Sequence, residues 1–177
     1  QACAQTVHIA HCMAGCPVES SDMAVVDNEL VVRQLFVASM SGDSGIADWQ
    51  GYRVLAGSVG VASLLPREWH EDELVQGTAS LVEPDIDTPQ FVQSVSADAE
   101  ERNYQLSEIR QVSEDEGRLV PMTSFAGTPY WSELNYLSNM APVPFARRVG
   151  SGSRVDQAIN SLANRLGERY VISGPIY

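Results

Sequence analysis

The sequence predicts an α+β fold, with a central antiparallel sheet and one flanking helix. Three stretches carry that prediction. Residues 23–40 and 48–55 are apolar runs with polar breaks, separated by the turn Ser41-Gly42-Asp43-Ser44-Gly45, and together they read as a hairpin. Residues 155–168 place Val155, Ile159, Leu162 and Leu166 at helical spacing, with Gly167 as the stop. The chain closes on the apolar segment Tyr170-Val171-Ile172-Ser173-Gly174-Pro175-Ile176-Tyr177. A length of 177 residues with 44% apolar content suits one domain with a real core rather than two.

In chain order, residues 1–22 form an irregular N-terminal arm, and residues 23–177 form the domain. Val31, Gln34, Phe36 and Ala38 suit a half-buried strand, with helix as the alternative for that run. Asp48 to Leu55 resumes as strand. Gly57 to Leu65 is small and apolar and reads as strand edge and loop. Residues 76–98, with Pro84, Pro89 and several aspartates, read as a long surface loop. Residues 97–112 read as a short helix or an irregular lead-in. Residues 144–155 are the most basic part of the chain, with Arg147, Arg148 and Arg154 around a Gly-Ser-Gly-Ser run.

The formal net charge is −12, from 23 acids against 11 bases, every one of them arginine. A surface of that sign repels a polyphosphate on average, so nucleic acid is an unfavourable partner. No apolar run is long enough to span a bilayer. The three cysteines, Cys3, Cys12 and Cys16, all lie in the first 16 residues. A Cys12–Cys16 bridge needs only that Gly15 turn the chain, and it implies an oxidising compartment. A zinc site from His8, His11, Cys12 and Cys16, or free thiols, are the alternatives. Cys3 is then the odd cysteine, suited to an interchain bond. The start has no basic region or apolar run, so any export signal is expected to have been removed already.

The longest stretch that reads as a built site is 113–143, SEDEGRLVPMTSFAGTPYWSELNYLSNMAPV. Gly117 permits a turn and Pro121 holds its predecessor extended. A strand, a tight turn and a re-entering apolar strand ending at Ser138 and Asn139 would gather Asp115, Glu116 and Arg118 near Asn139. Asp115-Glu116-Gly117-Arg118 and Tyr136-Leu137-Ser138-Asn139-Met140-Ala141-Pro142-Val143 resemble the D-R-G-H and Y-L-S-N-x-x-P-Q segments of the DNA/RNA non-specific endonucleases, of the ββα-metal (His-Me finger) superfamily. Further parts are similar to the same family: Cys12-Met13-Ala14-Gly15-Cys16-Pro17 to a C-x-x-G-C-P seen in secreted members, Asp48 to Val54 to its early sheet, Arg67-Glu68-Trp69 to R-x-W, and Val171 to Tyr177 to V-x-T/S-G-P-x-Y. The resemblance implies a nuclease-like ββα-metal fold. It also supports the Cys12–Cys16 disulfide and a secreted or periplasmic location.

Phosphodiester cleavage needs a base to activate water and a divalent ion to hold the leaving oxygen. In the family the histidine of D-R-G-H is the base. An asparagine in a following helix pattern, N-x-G-x-W-x-x-L-E, holds magnesium, and the terminal glutamate orders its water shell. Arginines neutralise charge in the transition state. Here the histidine position is Arg118, which stays protonated and cannot act as base. The neighbouring arginine position is Glu116. Aligning Leu162 with the family's leucine puts Ile159 at the tryptophan, Val155 at the metal asparagine and Ala163 at the glutamate. A one-residue offset would bring in Asp156, with Asn160 and Asn164 nearby, as weak magnesium candidates. Arg67 matches the family's phosphate-side arginine, so it suits an anion pocket or, alternatively, a surface ion pair.

The expectation is a secreted, non-catalytic nuclease-fold protein that serves as a binding, carrier or structural subunit. Its degenerate site is knitted from Asp115, Glu116, Arg118, Arg67 and Asn139, and its cofactor is unknown. The alternative is an extracellular DNA/RNA endonuclease dependent on a divalent metal (Mg2+), with a rearranged active site. A nucleic-acid binder using Arg147, Arg148 and Arg154 is the third reading. Family members continue past the G-P-x-Y strand. A second polypeptide, from the same precursor or another, is therefore expected to complete the domain, with Cys3 as tether and a small-molecule ligand as a further partner; the alternative is a shortened core that pairs with itself.

Overall fold

A computed structural model describes residues 9–13, 15–17, 28–42, 45–75, 117–141 and 148–174. The strands are β1 (Glu29–Val32), β2 (Phe36–Met40), β3 (Ala47–Leu55), β4 (Gly117–Arg118), β5 (Met140–Ala141) and β6 (Glu168–Ser173), and the helix is α1 (Ser153–Leu166). Four strands form an antiparallel sheet in the order β1-β2-β3-β6, and β4 pairs with β5 in a small second ladder. The architecture is α+β with an antiparallel sheet and a flanking helix, as the sequence predicts.

The apolar run ending at Met40 is two strands rather than one. Arg33 and Gln34 interrupt it, and the Arg33 N–H donates to the Phe36 carbonyl at 2.8 Å, closing a tight hairpin. Side chains alternate across a strand. The register Phe36↔Tyr52 and Ala38↔Gln50 therefore puts Phe36, Ala38, Met40, Tyr52 and Val54 on one face. That face is the core, where Tyr52 meets Phe125 edge-on with ring centroids 6.1 Å apart. On the opposite face Val37 lies across from Gly51, and the Cys12 sulfur covers them. A Cβ on Gly51 would stand 3.0 Å from that sulfur. Cys12 and Cys16 are disulfide-bonded, with Cα atoms 5.0 Å apart, so neither thiolate remains for zinc. The His11 ring is instead hydrogen-bonded to the Arg33 carbonyl at 2.9 Å. Cys3 and His8 lie outside the described residues.

α1 starts two residues before its predicted position because a π-helical turn, Arg148–Gly152, runs straight into it. It ends where predicted, at Gly167, whose φ of 92° suits glycine and whose N–H reaches the Ala163 carbonyl. The buried seam differs from the predicted one. Val155 and Leu166 are exposed, while Asn160 and Ala163 are buried. The helix packs against the 3-10 turn Met122–Ser124, where the Ser124 hydroxyl donates to Asn160 Oδ1 at 2.7 Å and Asn160 Nδ2 donates to Thr123 Oγ1 at 3.2 Å. A small residue and a satisfied amide suit that close approach better than branched side chains.

Two further expectations change. Residues 57–65 hold a 3-10 turn (Ala56–Ser58) and loop, with no strand. The segment before Asn139 is two 3-10 turns, Trp131–Asn135 and Leu137–Asn139, rather than a strand. Leu134 and Leu137, three apart, are both fully buried, and three residues per turn is the 3-10 repeat. Residues 76–112 lie outside the described set. Among the described residues no helix is long and apolar enough to cross a membrane.

Candidate functional site

Asn139 sets the position of the segment after β4. Its Oδ1 accepts the Val120 N–H at 2.9 Å, and its Nδ2 donates to the carbonyls of Val120 (3.1 Å) and Leu134 (3.0 Å). One amide thus replaces the ladder bonds a longer β4 would have made. Behind it lies a buried ionic clasp. Asp72, with no solvent exposure, pairs with Arg33 and accepts the Ser138 hydroxyl and the Leu74 N–H. The Arg33 guanidinium also stacks on Tyr136, its Cζ 4.1 Å from the ring centroid. The clasp joins the β1–β2 turn, the 70–75 loop and the Ser138-Asn139 corner.

β4 delivers Arg118 to an open cleft of about 900 Å³ whose lining includes Arg67, Trp69, Asp156, Asn160, Ser161 and Asn164. Arg118 donates from Nε to the Leu134 carbonyl at 3.2 Å and from Nη2 to the Arg67 carbonyl (3.0 Å) and Asn135 Oδ1 (2.8 Å). Its Cζ lies 4.1 Å from the Trp69 ring centroid. Asn135 Nδ2 in turn donates to the Pro66 carbonyl at 3.0 Å. Arg67 and Arg118 therefore meet through a main-chain carbonyl. The salt-bridged network expected with Asp115 and Glu116 has those two members outside the described residues. Among the described residues the Arg67 side chain has no hydrogen-bond or ion-pair partner.

The facing wall is α1. Asp156, Asn160 and Asn164 recur every four residues and share one face of the helix. Asp156 is half-buried, and burial raises its carboxyl from the ordinary 3.8 to about 6. Burial also raises the Tyr52 phenol, with the Asp156 charge adding to the effect and a hydrogen bond to Ser173 opposing it. Because Asp156 holds its proton more tightly when folded, the folded state binds more protons than the unfolded one between about pH 4 and 6. Stability therefore falls as pH rises through that window. The full displacement represents roughly 3 kcal/mol, which solvent screening reduces to on the order of 1 kcal/mol. Asp156→Asn is expected to raise Tm by roughly 2–4 °C at pH 7 and to leave it unchanged at pH 3.5, as thermal melts at the two pH values would show.

No family model matches the chain. It is similar to a protein named nuclease from Serratia marcescens, 26% identical over 180 residues covering all of this chain and 58% of that protein. It also superposes on a chain in the crystal structure of the EndoG/EndoGI complex with a TM-score of 0.56 and 19% identity, covering 84% of this chain and 53% of that one. The fold is that of the non-specific endonucleases, the ββα-metal kind. The chain spans a little over half the length of these relatives.

Placed on this fold, the helix pattern also admits a second register. Val155 is not among the residues lining the cleft, whereas Asp156 is. Anchoring N-x-G-x-W-x-x-L-E on Gly150 puts Arg148 at the asparagine, Gly152 at the tryptophan, Val155 at the leucine and Asp156 at the glutamate. That register retains the glycine, an aliphatic residue and a carboxylate. It also bears on magnesium, the ion this fold implies. Magnesium takes carboxylate and amide oxygens and several waters. A guanidinium has no lone pair to offer and repels the cation. Asn160 Oδ1 is already engaged by Ser124. Among the described residues Asp156 is the only carboxylate lining the cleft, and no cluster of three His, Cys, Asp or Glu exists. The donors among the described residues do not match an asparagine-held magnesium site. No histidine among the described residues lines the cleft either: His11 is on the disulfide segment, and the main chain of His70 is laced to Asn135 and Leu137. Sequence reasoning passed over Asp72, Asn135 and Trp69 as site-building residues. Only Trp69 had a signal, its place beside Arg67 in R-x-W.

Proposed function

We propose that the protein is a non-catalytic binding module on a nuclease fold, working outside the cytoplasm as a secreted or periplasmic component and receiving its ligand or a second polypeptide at the cleft. The observation that carries this reading is Arg118. By the sequence resemblance it takes the position of the family's base histidine; it cannot accept a proton, and it is tied to Leu134, Asn135, Arg67 and Trp69. The disulfide supports an oxidising compartment. The charge of −12 supports a ligand smaller than a polyphosphate.

A second reading is favoured by the relative named nuclease: a divalent-metal-dependent endonuclease with a rearranged active site. One assay separates the two. Supercoiled DNA and single-stranded RNA are incubated with the protein and Mg2+ or Mn2+. The expected result is no strand scission above buffer. Cleavage that is stopped by EDTA and lost in Asp156→Ala would establish the second reading instead.

A further inference from the structure

We propose that the cleft is a metal-independent receptor for an anionic sugar, a polyhydroxylated ring carrying one carboxylate or phosphate. The inference rests on the non-catalytic reading and names its ligand class. The two walls of the cleft differ in chemistry. One carries Arg67 and Arg118 beside Trp69. A guanidinium fork matches the paired oxygens of a carboxylate or phosphate, and the exposed Arg67 side chain has no such partner among the described residues.

The other wall carries Asp156, Ser161 and Asn164, whose side chains have no hydrogen-bond partner among the described residues. Asp156 to Asn164 spans about 12 Å of helix. A bare inorganic anion would satisfy only Arg67 and would leave the half-buried Asp156 facing a like charge. A polyphosphate would set its next charge against the same carboxylate. A ring bearing hydroxyls suits both walls. Its hydroxyls donate to Asp156, and they both donate to and accept from Ser161 and Asn164, while its single anion meets Arg67. A cleft of about 900 Å³ takes a ligand of that size.

The test is calorimetric titration of the whole chain in EDTA with glucuronate, glucose 6-phosphate, glucose and a short single-stranded oligonucleotide. One of the two anionic sugars is expected to bind at least tenfold more tightly than glucose and than the oligonucleotide, and the preferred one identifies carboxylate or phosphate as the source of the anion. Arg67→Ala, which removes an exposed side chain, is expected to weaken that binding at least tenfold, and Arg154→Ala, on the exposed side of α1, to leave it unchanged. Anionic sugars that bind no better than glucose, an Arg67→Ala variant with unchanged affinity, or tighter binding of the oligonucleotide would each overturn the inference. The cleavage assay on the same sample judges the underlying reading separately. Scission would overturn that reading whatever the titration shows, and absence of both sugar binding and scission would overturn the ligand class alone.

Discussion

Asp72→Ala is expected to lower the unfolding free energy by roughly 3–5 kcal/mol, the usual cost of removing one partner of a buried ion pair. For a domain of this size that corresponds to a fall in Tm of about 6–20 °C. Asp72 has no solvent exposure and the Arg33 side chain little, so screening does not soften the loss. The substitution strands the Arg33 guanidinium and removes the acceptor of the Ser138 hydroxyl and the Leu74 N–H. The double variant Arg33→Met with Asp72→Leu is expected to recover part of the loss, because no lone charge remains inside. Urea unfolding of the three proteins checks this. A single-variant cost below about 1 kcal/mol would place the pair in the class of weak surface bridges and remove it as the anchor of the Ser138-Asn139 corner.

Arg118→His is expected to leave the protein without nuclease activity while lowering its stability by roughly 2 kcal/mol. Imidazole restores a group able to take a proton. It does not change Glu116, which the resemblance sets at the family's arginine, or Arg148, which the Gly150 register sets at its asparagine. It also gives up the bonds from Arg118 to Leu134, Arg67 and Asn135 and the stack on Trp69. The measurement pairs a thermal melt with Mg2+-dependent cleavage of plasmid DNA. Cleavage rising a hundredfold above wild type would show a working metal site beside Arg118 and would overturn the register that places Arg148 at the asparagine. If activity appears only after Arg148→Asn and Glu116→Arg are added to Arg118→His, the three losses act together, as expected for groups that serve one transition state.

Local signals were enough for several features. The turn between β2 and β3, the stop of α1 at Gly167, the Cys12–Cys16 staple and the frame Gly117-Arg118 … Leu137-Ser138-Asn139 all depend on residue type at short spacing, and all were legible in the chain. That Arg118 carries a fixed charge was legible for the same reason, since arginine's charge does not depend on its surroundings. Other features were settled by packing. The break at Arg33-Gln34 arises because β1 must fold back onto β2, which a pattern of apolar residues does not encode. Which face of α1 turns inward followed from the hydroxyls of Thr123 and Ser124, some 36 residues away in sequence, so Asp156 rather than Val155 faces the cleft. The partnership of Arg33, Asp72 and Ser138 joins three distant segments. A buried charge is tolerated only when those segments meet and pair it, so no short-range signal could announce it. The sequence by itself determined which side chains this fold has available. Only the tertiary structure decided which of them are spent on holding the corner and which are left facing the cleft.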